Sequence, residues 1–270
     1  MVILKFPRTR HAEGSRLQRG DLADEEPMAR LLSEPLVVEE KLDGANAGLS
    51  FDATGQLHLQ SRGSYLTGGG REKHFALFKT WAAALAPRLL PVLGARYVVY
   101  GEWMYAKHTI FYDRLPHYFL EFDVYDRKAG VFLDTGARRE LLTGLPIMPV
   151  PVLHRGRFAK GAALVALVDR SLYKSDAWQG ALSEAARKSG SRAEMVAQQT
   201  DQTALAEGIY LKHETAGRVT GRFKYVRDGF QQAIAEADGH WQDRPTLVNG
   251  LAPGVDIFAP RLGVPGAYDD

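Results

Sequence analysis

The sequence predicts an α+β protein with antiparallel sheets and flanking helices, and three observations support this class. Short β-prone runs follow one another in residues 36–61, separated by Asp-Gly and Thr-Gly turns. Valine-rich and aromatic runs recur further along the chain, near residues 97–104, 118–125 and 207–225. Helical periodicity and Ala-rich composition occupy segments between these runs. We find no internal repeat, and no linker clearly separates two domains.

Each element in the first half follows from its local pattern. Residues 7–30 show no sustained periodicity and predict an irregular arm, so we assign residues 1–35 to an N-terminal arm packed on the core. The predicted strands, expected to pair as hairpins, are Leu36–Lys41, Ala45–Phe51 and Leu57–Ser61. The apolar side chains of residues 71–86 recur at spacings of three and four, which predicts an amphipathic helix that ends near Pro87.

The second half repeats this alternation of strands and helices. Two well-buried strands are predicted at Tyr97–Met104 and Tyr118–Tyr125, and Thr135 could cap a short helix through Leu142. Residues 159–199 are rich in Ala, Leu, Glu, Arg and Gln, and predict a helical insertion. The remaining predicted elements are strands at Glu207–His213 and Val219–Tyr225 and a helix at Gly229–Ala237. We therefore assign residues 36–227 to one domain and residues 228–270 to a short C-terminal extension.

Composition limits the classes of function. The 270 residues are 45% hydrophobic and 24% charged, which is typical of a soluble globular protein. The net charge of +2 is too small to indicate a partner, so any phosphate-binding surface must come from local clusters of Lys and Arg. The absence of cysteine excludes disulfides, thiolate zinc sites and a cysteine nucleophile. With no signal-peptide pattern and no apolar run longer than Ala162–Val168, we expect a cytoplasmic protein without membrane contact.

The first functional motif is Glu39-Glu40-Lys41-Leu42-Asp43-Gly44, which places a lysine at the end of a predicted strand before a glycine turn. Taken alone, it fits either a reactive lysine or a surface lysine in an Asp-Gly hairpin.

Five further segments follow the lysine motif in order. They are Ser61-Arg62-Gly63, Tyr100-Gly101-Glu102-Trp103, Glu121-Phe122-Asp123-Val124-Tyr125, Glu207-Gly208-Ile209-Tyr210-Leu211-Lys212 and Arg222-Phe223-Lys224-Tyr225-Val226-Arg227. Each has an ordinary structural explanation. Glu102 fits a structural ion pair as well as a ligand contact, because a buried carboxylate needs a partner. Phe122 fits the core, and Lys224 fits a solvated edge strand. For His11, His74 and His108 a structural or surface role is expected.

Together, the six segments resemble in their order the covalent nucleotidyltransferase superfamily of polynucleotide ligases and RNA capping enzymes. The residues that carry the resemblance are Lys41, Arg62, Glu102, Phe122 with Asp123, Glu207 with Lys212, and Lys224. It covers residues 36–227 and implies an ATP-grasp-like core of two antiparallel sheets.

The resemblance also implies a mechanism. Lys41 would attack the α-phosphate of ATP, expel pyrophosphate and carry AMP as a phosphoramide. A free lysine has a pKa of about 10.4, so Arg62, Lys212 and Lys224 would favour its neutral form while they hold phosphate oxygens. AMP would then move to a 5′-phosphate end, and a 3′-hydroxyl would displace it.

Further roles follow by the same resemblance. Asp43, Glu102 and Glu207 would hold hydrated Mg²⁺ or Mn²⁺, and Glu102 could instead contact the ribose. Phe122 would stack on the base. The backbone of Val38, Glu39 and Glu40 would read the base edge.

Residues 228–270 are too few for the oligonucleotide-binding barrel that DNA ligases and capping enzymes usually append. The chain therefore resembles small, stand-alone bacterial or phage RNA ligases of the RNA ligase 2 type. The expected substrate has 3′-hydroxyl and 5′-phosphate ends, as in nicked duplex RNA or an RNA/DNA hybrid, and the expected state is a monomer. One departure is Val226, which stands where the last motif often has a second lysine, and Arg222 or Arg227 would compensate.

Three alternatives remain open. A DNA ligase or capping enzyme would share the lysyl-nucleotide step. A non-catalytic relative would only bind RNA ends. A small-molecule ligase with a grasp-like fold would need no covalent lysine.

Overall fold

Two sheets with flanking helices make up the described part of a computed structural model, which comprises residues 3–17, 21, 24–230 and 246–259. The strands are β1 (Arg10–Ala12), β2 (Glu25–Glu26), β3 (Leu36–Lys41), β4 (Ala45–Phe51), β5 (Leu57–Ser61), β6 (Tyr97–Trp103), β7 (Phe119–Asp126), β8 (Val131–Phe132), β9 (Met148–Pro149), β10 (Val152–Gly156), β11 (Gly208–Thr215) and β12 (Arg218–Val226). The helices are α1 (Met28–Leu31), α2 (Ala76–Leu93), α3 (Thr135–Leu141), α4 (Gly161–Val165), α5 (Trp178–Lys188) and α6 (Ala193–Gln198), and a 3₁₀ helix, Gly70–Phe75, leads into α2.

The first sheet has the strand order β10-β3-β11-β12-β1-β2, and the second has the order β5-β4-β6-β7-β8 with β9 also paired to β7. Pairing is antiparallel except where β1 meets β12 and β2, and where β9 meets β7. The predicted α+β class with two largely antiparallel sheets is confirmed. The predicted strands are present, and their observed ends differ from the predicted ends by at most two residues.

The lysine motif does not form the predicted hairpin. Strand β3 ends at Lys41 in the first sheet, and β4 begins at Ala45 in the second, so the intervening residues cross between the sheets. A Cβ at Gly44 would lie 2.7 Å from Met104 Sδ and 2.9 Å from the Trp103 carbonyl oxygen, which explains the need for glycine at this crossing. The hairpin predicted between β4 and β5 is confirmed.

The N-terminal arm is more regular than its sequence indicates. It contains β1, β2 and α1, and β1 pairs with the distant strand β12 through Arg10↔Phe223 and His11↔Lys224. A three-residue strand leaves no detectable period, which is why residues 7–30 were wrongly predicted to be irregular throughout. The helix predicted from Thr135 is present, but its N-cap is Asp134, whose side chain accepts a hydrogen bond from Ala137 N.

Helix α2 continues to Leu93 instead of ending near Pro87. Pro87 and Pro91 lie on its exposed side, where water can satisfy the backbone carbonyls that they leave unbonded. Leu85, Leu89 and Leu93 are buried on the opposite side, and this packing offsets the cost of the prolines. The segment Glu72–Leu93 is long and apolar enough to cross a membrane, a property that core helices of soluble proteins share.

The main hydrophobic core lies between α2 and the second sheet. The Phe78 ring stands 5.1 Å from Trp103 and 5.4 Å from Phe119, between centroids. A smaller cluster, with Leu31 from α1 and Leu164 from α4, covers the other face of the first sheet. Each sheet is therefore covered by helices on one face.

Residues 159–199 contain α4, α5 and α6, in line with the predicted helical composition. The loop after α6 meets the core where Lys107 Nζ donates to the Gln199 carbonyl oxygen over 2.7 Å. The helix predicted at Gly229–Ala237 lies largely outside the described residues. In the described residues after Val226, the only β-structure is isolated bridges at Val248 and Leu251. The domain boundaries at 35 and 227 stay predictions.

Candidate active site

A cavity of about 790 Å³ opens between the two sheets, within the size range of small-molecule sites. The N-terminal arm, the end of β3, the crossing segment and parts of β4, β6 and β7 line it. The predicted site residues that line it are Glu39, Glu40, Lys41, Asp43, Arg62, Glu102, Phe122, Glu207 and Lys224. Val38 and Lys212 are not among its lining residues.

Lys41 and Glu207 form the centre of the cavity. Lys41 lies opposite Gly208 in the β3–β11 ladder, which brings the two side chains together. Lys41 Nζ donates to Glu207 Oε2 over 2.6 Å, and the side chains are 22% and 2% exposed. The predicted proximity of the lysine to a carboxylate is therefore present in the fold.

The surroundings of Lys41 favour its ammonium form. Burial lowers its pKa, but Glu207, Glu102 and Asp43 together outweigh burial, so the net pKa is raised. Lys41 thus lies among carboxylates, and the neutral amine expected from nearby cations and a metal ion stays a prediction. Its ammonium form is an ion-pair partner of Glu207.

Glu102 and Glu207 are two acids in one poorly solvated space. The pKa of Glu102 is raised to about 8. Burial is the largest cause, the charges of Glu207 and Asp43 act in the same direction, and the charge of Lys41 opposes them. Burial likewise raises the pKa of Glu207 to about 7 against the opposing effect of Lys41. Gly44 N also donates to Glu102 Oε1 over 3.2 Å. A cation between these two carboxylates would relieve their repulsion.

Asp43 serves the fold as well as the cavity. Its Oδ2 accepts hydrogen bonds from Thr109 N and Ile110 N, both over 2.7 Å, and its own N–H donates to Tyr112 Oη over 2.9 Å. Its Oδ1 stands 4.0 Å from His108 Nδ1. The Asp43 side chain thus anchors a loop that forms one wall of the cavity. Because Oδ2 accepts two backbone hydrogen bonds, Oδ1 is the oxygen that could serve the predicted metal-binding role.

In the part of the chain that the structure describes, no three carboxylate or imidazole side chains form a ready metal cluster. The donors nevertheless suit Mg²⁺ or Mn²⁺, since Mg²⁺ commonly keeps several waters and binds one or two carboxylates. Glu102 and Glu207, whose carboxyl groups share the cavity and have pKa values raised mainly by burial, fit this description.

Lys212 belongs to a buried ionic network beneath the cavity. Its Nζ donates to the Phe122 carbonyl oxygen and lies 2.9 Å from Glu39 Oε2 and 3.3 Å from Asp123 Oδ1. The side chain is fully buried. Four residues beyond Gly208 along β11, Lys212 thus contacts two residues that line the cavity, Glu39 and Phe122, without lining it, and its predicted contact with the nucleotide stays a prediction.

The backbone of Val38, Glu39 and Glu40 was predicted to read a base edge, but the sheet engages it. Strand β3 is flanked by β10 and β11, and Glu40 N donates to the Pro151 carbonyl oxygen over 3.2 Å. Burial raises the pKa of the Glu40 carboxyl group to about 7, offset in part by a 2.5 Å hydrogen bond from Ser171 Oγ. The structure offers no free backbone donor at Val38 or Glu40.

Phe122, Arg62 and Lys224 surround the remaining space. The Phe122 ring is 5.1 Å from Phe6 in an edge-on arrangement, and it also borders the cavity. Arg62 is exposed at the end of β5. Lys224 Nζ donates to Asp21 Oδ1 over 2.6 Å, and burial lowers the pKa of Lys224 despite that bond.

Sequence reasoning missed several lining residues, including Asp21, Asn46, His108 and Tyr210. Asn46 lies opposite Glu102 in the β4–β6 ladder. Its Oδ1 is buried and has no hydrogen-bond partner among the described residues. A polar amide in a β-prone run, two positions after Gly44, was the available signal. No local pattern marked Asp21.

Comparison with known proteins gave one family match. Residues 34–226 match the family model described as RNA ligase. No curated protein matches the chain significantly.

Solved structures of Naegleria gruberi RNA ligase are similar in overall form. A variant with ATP and Mn is 16% identical, with 82% of this chain and 60% of that chain covered and a TM-score of 0.46. The protein with PPi is 17% identical, with coverage of 84% and 62% and a TM-score of 0.47. A variant with AMP and Mn is 16% identical, with coverage of 83% and 62% and a TM-score of 0.48. The chain spans about three fifths of these proteins' length, since it covers 60% to 62% of each.

Proposed function

The chain belongs to the RNA ligase family, and we propose that it is an ATP-dependent RNA ligase whose covalent intermediate is AMP on Lys41. The observation that carries the proposal is the position of Lys41. Its Nζ lies 2.6 Å from Glu207 inside a cavity that Glu102, Phe122 and Lys224 also line. A surface lysine in a hairpin would have none of this surrounding chemistry.

The reaction has three transfers. The neutral Lys41 amine attacks the α-phosphorus of ATP, a P–N bond forms, and the bond to the pyrophosphate leaving group breaks. A 5′-phosphate oxygen of RNA then attacks the same phosphorus, which frees Lys41 and leaves AMP linked to the RNA end. Finally, the 3′-hydroxyl attacks the RNA 5′-phosphorus, AMP leaves, and a phosphodiester joins the strands.

Glu207 decides the charge of the nucleophile. Burial is the largest effect on the Lys41 pKa and lowers it, and the neighbouring carboxylates reverse that effect. When the negative charge of Glu207 is neutralised, burial and Lys224 both favour the neutral amine that attack requires. The ion pair therefore holds Lys41 in place. When another cation neutralises Glu207, Lys41 can lose its proton and act as the nucleophile.

A divalent cation held by Glu102 and Glu207 with water ligands would supply charge neutralisation at the phosphate oxygens. Lys224 lies close enough to Lys41 and Glu207 for these groups to influence one another's pKa values. Arg62 provides a second cation at the cavity rim. These cations suit phosphate oxygens, while Phe122 provides an aromatic face for a base.

The proposed partner is RNA with a 3′-hydroxyl and a 5′-phosphate, presented in a nicked duplex or an RNA/DNA hybrid. We also propose that the protein acts in the cytoplasm, which its cysteine-free composition suits.

The test is covalent labelling. The purified protein is incubated with Mg²⁺ and ATP labelled in the α-phosphate, and intact mass and bound label are measured. We expect one AMP per chain in the wild-type protein and in Lys128→Ala, a control at an exposed lysine in the turn after β7. Lys41→Ala should acquire none. Labelling that survives Lys41→Ala would refute the proposal.

Assays with different substrates distinguish an RNA ligase from a DNA ligase and from a capping-type enzyme. Sealing of nicks with RNA at both ends, with DNA at both ends, and with mixed ends measures which polymer is joined. Preferential labelling from GTP would instead point to a capping-type enzyme.

A further inference from the structure

Asp21 is the only acidic side chain that the N-terminal arm contributes to the cavity, among the residues the structure describes. The first part of the arm is held to the core, because Tyr100 Oη donates to the Leu4 carbonyl oxygen over 2.7 Å and β1 pairs with β12. Further along, Arg16 N donates to the Val226 carbonyl oxygen over 3.0 Å. The arm is thus tied to the strand that carries Lys224.

The Asp21 carboxylate bridges two basic side chains. Its Oδ1 accepts from Lys224 Nζ over 2.6 Å, and its Oδ2 lies 2.8 Å from His11 Nε2. The carboxylate is 19% exposed, whereas His11 is fully buried. One face of Asp21 therefore points to the protein and the other to the cavity.

Hydrogen bonds on the other side of the His11 ring fix its contact with Asp21. Val226 N donates to Ser15 Oγ over 2.9 Å, so the Ser15 hydroxyl proton is available to His11 Nδ1, 2.6 Å away. That bond leaves the proton of a neutral imidazole on Nε2, beside Asp21. Burial, with the charge of Lys224, lowers the pKa of His11 and favours this neutral form.

Both lysines that line the cavity are therefore paired with an acid: Lys41 with Glu207, and Lys224 with Asp21. A phosphate that approaches Lys224 meets a carboxylate at the same donor, and like charges at short range repel. Carboxylate and phosphate oxygens both accept charge-assisted hydrogen bonds from an ammonium group, so they compete for the same donor.

We propose that Asp21 is a positioning residue. Before ATP binds, its carboxylate occupies the position beside Lys224 Nζ that a phosphate would take, and the phosphates of ATP then displace it. It holds the lysine side chain extended into the cavity and keeps its charge compensated. The cost is a weaker affinity for polyphosphate, because the carboxylate must leave. The inference rests on the proposed function only in taking ATP as the natural source of the phosphate.

The test compares Asp21→Asn with Asp24→Asn. The first removes the charge at Lys224 and keeps the shape. The second removes the same charge from a residue that is 73% exposed and pairs with Arg10. The probes are tripolyphosphate, α,β-methylene-ATP and adenosine, with binding measured by calorimetry on the full chain.

We expect Asp21→Asn to bind both polyphosphate probes roughly tenfold more tightly, the effect of about one charge-assisted hydrogen bond. Adenosine affinity should stay unchanged, and Asp24→Asn should behave as the wild type. Adding Lys224→Met should abolish the gain, since the shared donor is then absent. A merely structural role for Asp21 would not raise anion affinity.

The two proposals fail separately. If Asp21→Asn binds tripolyphosphate no better or more weakly than the wild type, the role of Asp21 is refuted, whatever the labelling assay shows. If the wild type forms no AMP adduct while Asp21→Asn still gains affinity for tripolyphosphate, the ligase proposal fails and the role of Asp21 stands.

Discussion

At the scale of single residues, the cavity is defined by acids whose pKa values are raised by burial. Glu102 and Glu207 share a space with Lys41, and burial raises the pKa of each carboxyl group. Such perturbed groups in a cleft are typical of functional sites, because catalysis requires charges that a stable core would avoid. The residues that would serve the reaction are thus costly to the folded state.

Glu102→Gln should stabilise the empty protein at alkaline pH. The carboxyl pKa rises from 4.5 to about 8 on folding, so the unfolded chain releases a proton that the folded chain keeps. Wild-type stability should therefore fall as the pH rises from about 4.5 to 8, and glutamine, which cannot ionise, should escape this loss. We expect an advantage of at least about 1 kcal/mol at pH 8.5 that is absent at acidic pH, measured by urea unfolding.

Glu140→Gln is the matched control, since Glu140 is exposed on α3. Its free energy of unfolding should follow the wild type across the same pH range. A Glu102→Gln advantage that does not change with pH would contradict the burial of an ionisable group at this position.

At the scale of elements, the site depends on how closely strands approach one another. Gly208 follows Glu207 and lies opposite Lys41, so it sets the spacing at which these two side chains meet. A Cβ at Gly208 would lie 1.9 Å from the Tyr225 carbonyl oxygen, far inside contact distance. Here the requirement for glycine comes from a neighbouring strand.

Gly208→Ala should therefore damage the fold and the site together. We expect a loss of about 3 kcal/mol or more in the free energy of unfolding, because strands β11 and β12 must separate. Formation of the AMP adduct should fall with it. Thermal unfolding and covalent labelling measure the two effects.

Gly180→Ala is the control, since a Cβ there meets nothing within 4 Å in helix α5. It should be neutral or stabilise the protein by about 0.5–1 kcal/mol, because alanine favours helix. Equal behaviour of the two alanine variants would show that the close approach at Gly208 is not needed.

At the scale of the whole molecule, a buried ionic network joins the two sheets beneath the cavity. Its acids are Glu39, Glu121 and Asp123, and its bases are Arg138, Lys212 and Arg222. Arg138 contacts Glu39 of the first sheet and Glu121 of the second, and is fully buried. The network therefore bridges the two sheets between which the cavity opens.

Arg138→Met should be strongly destabilising, because Glu39 and Glu121 would lose their shared cation in a dry environment. We expect a loss of about 3–5 kcal/mol, measured by urea unfolding. Restoring charge balance with Glu39→Gln in the same chain should recover part of this loss.

Arg139→Met is the neighbouring control on α3. Arg139 is only partly buried, and its Nε has no hydrogen-bond partner in the described part of the structure. Its replacement should cost less than about 1 kcal/mol. If Arg138→Met were as mild, the network would contribute little to holding the sheets together.

The sequence by itself determined the α+β class and the principal strands, and the resemblance supplied nine of the residues that line the cavity. Local patterns suffice to predict the class and the strands, because alternation along β3 and β11 sets the direction of each side chain and glycines mark close approaches of the backbone. The order of the motifs along the chain then indicated which side chains would meet.

Only the tertiary structure decided how those strands combine. It placed β3 and β4 in different sheets, buried Lys212 between them, and brought Asp21 to Lys224. It also placed Lys41 among the carboxylates of Glu207, Glu102 and Asp43. The physical reason is that periodicity records which face a side chain takes, whereas depth and neighbours depend on pairing between distant segments, such as Arg10 with Phe223.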